Sequence, residues 1–207
     1  MKQFTRILLY VCVCVVVVGA GYLGYEKEKD TTSTDSNIIP VHASWGDEAK
    51  DVKSLIKESD LVVVGKMTEQ MASYQPFENY EDTFTDAKFT VGEIIKGDIS
   101  SKEVVISQYG GERKDGKVEV FESLPLMEKD TSYLLFLTKI EDDTNRDGKY
   151  QTTGGPQGYY TLLNNSNFST FALDDFEING TVNGEINEKV ENTSIAELRS
   201  MVTIQND

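Results

Sequence analysis

Oxygen-bearing side chains at alternate positions, Asp143, Asn145 and Asp147, followed by Gly148, match the first half of a calcium loop, D-x-N-x-D-G. Such spacing wraps the chain around a hard cation, with the glycine at the sixth position making the bend. The second half fails, because the twelfth position is Gly154 where a bidentate Glu belongs. Asp, Asn and Gly also build hairpin turns for conformational reasons alone, and that reading takes precedence, with no cofactor required. Calcium stays as the alternative, since weak extracellular sites fill at millimolar calcium. A second candidate is the segment Tyr74-Gln-Pro-Phe-Glu-Asn-Tyr80, which sets Tyr74, Phe77 and Tyr80 around Pro76 in a polar setting. Aromatics in such a loop either anchor a partner protein or fold back over the end of the domain.

Other chemistries are excluded by composition. The 207 residues hold one histidine, His42, which removes His-rich metal sites and most nucleophilic triads. Gly154-Gly-Pro-Gln-Gly158 lacks the Lys-Ser/Thr of a phosphate loop and reads as a tight connection between strands. Thirty-five acids against 20 bases give a net charge of −15, so the surface repels nucleic acid and anionic lipid. A carboxylate pair able to hydrolyse a glycosidic bond is compatible with so many acids, though no two are singled out.

The first residues set the compartment. Lys2 and Arg6 precede an uncharged run from Ile7 to Tyr25 centred on Val11–Val18. Ile7 to Leu23 spans roughly 25 Å as a helix, close to the hydrocarbon thickness of a bilayer. Positive charge before the run predicts a cytoplasmic N-terminus and an exported body. Residues 1–25 are therefore read as a membrane anchor, or as a signal peptide cleaved after Val18-Gly-Ala20; the unbroken valines favour the anchor. Cys12 and Cys14, the only cysteines, lie inside this run as apolar fillers. A cysteine-free exported body points to a bacterium, Gram-positive by this reading. Residues 26–44, which include EKEKDTTSTDSN, are read as a flexible stalk. The first 30 residues contain four bases and three acids, so the rest keeps 16 and 32, a net −16.

Residues 45–207 are the body that must position any site. Ser44-Trp-Gly-Asp47 has capping-box spacing ahead of Ala49, Val52, Leu55 and Ile56, predicting a helix over 46–58 with Trp45 as a staple. Strands are predicted at Leu61–Met67, Thr83–Ile95, from Val104, around Val118–Phe121, at Tyr133–Leu137 as the central strand, and at Gly158–Leu163. Asp115-Gly116 reads as a type I′ hairpin turn, and Asp147-Gly148 and Asn179-Gly180 as tight turns. Ser194-Ile-Ala-Glu197 opens a terminal helix with Ile195, Leu198 and Val202 on one face. The sum is a mainly β chain: a small antiparallel barrel or sandwich with a short helix at each end.

Three segments in order, Ser59-Asp-Leu-Val-Val-Val-Gly-Lys66, Phe89-Thr-Val-Gly-Glu-Ile-Ile-Lys-Gly-Asp98 and Tyr133-Leu-Leu-Phe-Leu137, resemble a pattern in uncharacterised exported proteins of Gram-positive bacteria. The same order is similar to the netrin-like module that tissue inhibitors of metalloproteinases carry on an OB-type barrel. The resemblance covers about Asp60 to Leu163 and implies an OB-like antiparallel β-barrel. It does not bring the inhibitory activity, because that mechanism uses an N-terminal cysteine and disulfides that this body lacks.

Together these readings predict a membrane-tethered, extracytoplasmic OB-like barrel that works by binding rather than catalysis. Its expected partner is another exported protein or a wall component, met through Tyr74, Phe77 and Tyr80 in the loop between Gln70 and Asp82. The alternatives are a carboxylate hydrolase of wall polysaccharide and a calcium-stabilised spacer.

Overall fold

The computed structural model describes residues 37–46, 48–78, 80–142, 144–163 and 176–205. The anchor reading and most of the stalk reading fall on residues 1–36 and so lie outside the described residues. Among the described residues no helix is long and apolar enough to cross a membrane.

Among the described residues ten strands and three α-helices follow one another, with a 3₁₀ turn at Gly155–Gly158. They are β1 (Ile38–Val41), α1 (Val52–Glu58), β2 (Leu61–Tyr74), β3 (Phe84–Lys96), β4 (Glu103–Tyr109), β5 (Gly111–Glu112) and β6 (Val118–Phe121). Then come β7 (Ser132–Lys139), β8 (Tyr150–Thr152), β9 (Tyr159–Leu163), β10 (Glu177–Gly180), α2 (Glu185–Glu191) and α3 (Ile195–Gln205). Five strands close into a barrel in the order β2-β3-β4-β8-β7 and back to β2. β9 and β10 extend the sheet outward from β7, and β1, β6 and β5 form a separate small sheet.

The expectation of an all-antiparallel barrel is corrected here. β4 and β8 run parallel, with Ile106 opposite Tyr150. A ring of five strands cannot alternate direction all the way round, so closure itself requires one parallel pair. The other four contacts are antiparallel.

Leu61-Val-Val-Val64 is apolar without alternation because both faces of β2 are covered. Leu61 and Val63 point into the barrel with Met67, Phe89, Ile106, Tyr133 and Leu135. Val62 and Val64 face outward, where Leu55, Ile56, Val190, Ile195 and Leu198 of the helices bury them. A strand covered on both sides reads as a continuous apolar run. Four register irregularities between β2 and β3 bend this long hairpin, as bulges do at barrel corners. Gly65 sits where a Cβ would come within 2.4 Å of the Phe89 ring, and the carboxylate of Asp60 accepts from the Lys139 N–H at 2.8 Å. Asp60 and Gly65 of the segment Ser59–Lys66 thus serve the contacts of β2 with β7 and β3.

Several boundaries differ from the sequence reading. α1 starts at Val52, six residues beyond the predicted start, because the capping box is built by Asp51 and Ser54 rather than Ser44 and Asp47. β2 continues through Met67 to Tyr74, so Tyr74 belongs to a strand and pairs with Phe84. Ile38–Val41, inside the range read as stalk, pairs in parallel with β6. Asn179-Gly180 is no turn: both residues sit in β10, opposite Thr161 and Tyr160. α2 was not foreseen, although Ile186 and Val190 are buried four residues apart and Lys189 pairs with Glu185 at 2.7 Å. Asp147-Gly148 and the Ser194/Glu197 cap are as expected, with Ser194 N–H donating to Glu197 at 2.8 Å. A turn forms at Asp115-Gly116 too, but it is not type I′, because only Gly116 has a positive φ and Arg113 N–H closes onto Lys117 O around a longer loop.

Two β3 side chains tie the helical layer to the barrel, Glu93 through a bidentate pair with Arg199 of α3 and Lys96 through the end of α1. Lys96, ending β3, donates to the backbone carbonyls of Ile56, Lys57 and Ser59 at 2.7, 3.0 and 2.5 Å. These are carbonyls at the end of α1, where helical partners run out and positive charge is favoured. Burial pulls the Lys96 pKa down while Asp60 opposes it. Lys96→Met should cost about 2 kcal/mol in urea unfolding, from hydrogen bonds to a charged group. Lys57→Met, an exposed change on the same helix, should cost under about 0.5 kcal/mol.

Candidate functional site

At one end of the barrel the chain leaves a cleft of about 850 Å³. The segment after β1 supplies Ser44, Trp45 and Glu48, the end of β4 supplies Tyr109, and the end of β6 supplies Phe121. β7 and β8 add Thr138, Gln151 and Thr152, and the β2–β3 loop adds Asp82. Glu58, Thr153 and the Gly154-Gly155 backbone complete the lining. The cleft has an aromatic wall, a set of hydroxyls and amides, and three carboxylates.

Trp45 is held in place by backbone geometry. Gly155 has a positive φ of 57°, and a Cβ there would fall 2.3 Å from the indole. The indole N–H reaches Ser123 Oγ at 3.4 Å, and the ring meets Tyr109 edge-on at 5.2 Å. Gln157, in the same short 3₁₀ turn, accepts from Ala49 N–H at 2.8 Å and donates back to its carbonyl at 3.4 Å. The glycine-rich turn therefore does more than connect β8 and β9; it seats Trp45 and fastens the segment leading to α1. Reading Trp45 only as a helix staple missed this. The signal was there, since two adjacent glycines before Pro156 leave room for a large ring.

The three loop aromatics are treated differently by the fold. The Tyr74 ring is tied into a polar network: its hydroxyl donates to Asp86 Oδ1 at 2.8 Å, lies 3.0 Å from Ser107 Oγ, and accepts from Lys149 Nζ at 3.2 Å. Burial raises the Tyr74 pKa, so it stays a neutral phenol. Lys149 also bridges to Asp86 at 2.6 Å. Burial works against its charge, but Asp86 and Tyr74 outweigh that and raise its pKa. Tyr80 folds back on Phe84 with ring centres 6.0 Å apart. Phe77 is 56% exposed and meets Tyr80 edge-on at 4.8 Å. From Phe84 the rings continue to Tyr109 at 4.9 Å and so to Trp45 in the cleft.

Asp143 lies outside the described residues. Asn145 and Asp147 are exposed. Asp142 accepts from both the backbone and the hydroxyl of Thr144, and Gly148 N–H closes onto Ile140 O at 2.9 Å. Those bonds are turn bonds. Among the described residues no three His, Cys, Asp or Glu side chains converge as a metal group.

The same connection contributes a residue that sequence reading overlooked. Arg146 is 8% exposed and lies 3.9 Å above the Phe84 ring. It donates to Ser107 Oγ at 3.1 Å and to Gln151 Oε1 at 2.8 Å. The tyrosine of the aromatic loop and the proposed calcium turn thus meet on the β3–β4 surface, through Tyr74, Lys149 and Arg146. In the cleft, burial raises the Asp82 pKa, reinforced by the Glu119 and Glu81 carboxylates and opposed by Arg146.

No protein-family profile matches the chain, and no curated protein matches it.

Gly155→Ala should cost about 2–4 kcal/mol, combining the left-handed backbone with a clash, and should shift Trp45 emission. Gly116→Ala, at another positive φ but with open space around it, should cost only about 1 kcal/mol and leave the emission unchanged. Asp82→Asn should stabilise the protein at neutral pH. A carboxyl whose folded pKa is raised penalises the folded state once ionised, so the advantage should vanish as pH falls through the carboxylate range. Melting curves of both proteins from neutral pH to pH 3 check this.

Proposed function

We propose that this chain is a membrane-tethered, extracytoplasmic binding module on an OB-type barrel, and that it works by binding rather than catalysis. Number the barrel strands β2, β3, β4, β7 and β8 as one to five. The ring then runs 1-2-3-5-4-1 with three and five parallel, an arrangement that supports the OB assignment. The segments resembling the netrin-like module fall in β2, β3 and β7, which are neighbours in the barrel. OB barrels commonly bind through the loop between their first two strands, which in this chain holds Phe77, Tyr80 and Asp82.

One observation carries the reading: an unbroken series of ring contacts runs from the exposed Phe77 through Tyr80, Phe84 and Tyr109 to Trp45 in the cleft. An exposed aromatic beside a concave, aromatic-walled cleft with converging polar groups is the anatomy of a recognition face. The partner is another exported protein or a wall component, reached from the outer surface of the membrane. The hydrolase alternative asks for two cleft acids pushed in opposite directions. Asp82 is pushed up, whereas the acids held low (Asp51, Glu69, Asp142, Glu185 and Glu197) are capping or ion-pair groups outside the cleft.

The test is capture from envelope extracts of the source cell with the full-length, C-terminally tagged protein. A partner should be retained, and Phe77→Ser should weaken its capture about tenfold, as loss of an aromatic anchor does. Tyr74→Phe, which removes a hydroxyl from the buried network, should lower melting temperature while leaving capture intact. Equal capture by the parent and Phe77→Ser would overturn the loop assignment. Capture of nothing would overturn the binding module.

A further inference from the structure

We propose that the cleft at the barrel end accepts the protonated amine or guanidinium side chains of a basic peptide segment on an exported partner protein. This rests on the binding reading above and names the chemistry of what that face takes.

The cleft is concave and aromatic-walled, and its charge has a single sign. Glu48, Glu58 and Asp82 line it, and no Lys, Arg or His is among its lining residues. The cation that acts on Asp82 is Arg146, which is not among the lining residues and donates to Gln151 Oε1 at 2.8 Å. Its charge offsets one of the three carboxylates and leaves the cleft negative. Glu119, the other acid near Asp82, already has a partner in Arg113 at 2.6 Å. Asp82 is therefore a half-buried carboxylate facing like charges from Glu81 and Glu119, and a cation in the cleft would give it a direct partner.

The occupant is an organic cation rather than a metal. The three carboxylates come from three separate segments, and among the described residues no three of them converge to ligand distance. Carboxylates spread over a cleft suit a spread of charge, as side chains along a peptide provide. The wall suits it too, since Trp and Tyr faces attract Lys and Arg. The protein seats one of its own cations in this way: the Arg146 guanidinium sits 3.9 Å over Phe84 and 5.7 Å from the centre of Tyr109. Tyr109 is the ring that continues into the cleft. Ser44, Thr152 and the side-chain NH2 of Gln151 line the cleft as polar groups for a peptide backbone, while Gln151 Oε1 is held by Arg146 and the Thr138 hydroxyl by Thr153. A cleft of about 850 Å³ is large enough for more than one side chain.

Trp45 is the only tryptophan in the chain, so its emission reports on this cleft alone. The full-length protein in detergent is titrated with a short lysine–glycine peptide, a glutamate–glycine peptide of equal length, and an N-acetylglucosamine oligomer. The basic peptide should give a saturable change in Trp45 emission, and the acidic peptide none. The pair Asp82→Asn with Glu58→Gln should weaken the basic peptide about fivefold. Glu141→Gln with Glu177→Gln removes the same charge outside the cleft and should alter Kd by less than about twofold. Unligated emission matching the parent confirms that each variant keeps the cleft intact. Equal weakening by both pairs would overturn the proposal in favour of unspecific attraction to an acidic protein. Saturation by the glycan and not by the peptide would overturn the cationic assignment while leaving the binding module standing. No saturable change with any probe would overturn the cleft as the site, and envelope capture would still decide the binding reading separately.

Discussion

The structure depends on one constraint: the start of β2 has no face turned to water. Leu61 and Val63 fill the barrel, while Val62 and Val64 fill the layer beneath the helices. Each buried aliphatic side chain of this kind contributes roughly 1.5–3 kcal/mol. Half of that is available only if the barrel closes, and half only if α1, α2 and α3 pack outside it. Closure in turn forces the parallel β4–β8 contact, because five strands cannot alternate around a ring. β8 is reached from its antiparallel neighbour β7 through the connection Ile140–Lys149. It brings Arg146 and Lys149 onto β3 and β4 and leaves Gln151 and Thr152 at the cleft. The site is a consequence of how the barrel is closed.

The sequence exposes this logic unevenly. β3, β7 and β9 were legible because apolar and β-branched residues concentrate in them and Gly or Asp turns bound them. The terminal helix was legible because Ser194 and Glu197 carry a capping signal next to a buried stripe. The helix at α2 was too short to stand out, and its apolar pair Ile186 and Val190 gains meaning only against α1. The far half of β2 was missed because Glu69, Gln70 and Met71 are exposed there, so no period marks the strand; the β3 partner holds it extended. Local reading places the first cap about two turns too early, since Ser44 and Asp47 have the right spacing but Asp51 and Ser54 make the bonds.

For the site, residue types were easier to find than their company. Tyr74, Phe77 and Tyr80 lie within seven residues, yet one is tied into an ion-pair network, one folds inward and one faces solvent. Nothing local separates them. What separates them is Lys149 and Asp86, 75 and 12 residues away from Tyr74. Trp45, Tyr109 and Gln151 were invisible as a group because the cleft gathers them from segments far apart in the chain. Long-range closure is information a period of two or 3.6 does not hold.

The acidic balance then acquires a local shape. Most of the described ion pairs are partly exposed and contribute little individually, but two with a buried carboxylate are placed where two segments must be joined. Lys149 with Asp86 fixes the β7–β8 connection to β3, and Arg113 with Glu119 fixes the hairpin of β5 and β6. These pairs use up cations close to the barrel end, and the cleft keeps carboxylates. Its wall is preorganised as well, since Trp45 rests on Gly155 and Arg146 braces Phe84. A wall already fixed loses little further side-chain freedom on contact, so more of the interaction survives as affinity. Phe77 has no such support beyond Tyr80, and its position at the tip suits first contact. On the proposed reading, an exposed aromatic tip beside a preorganised, negative cleft divides capture from holding within one end of a small barrel.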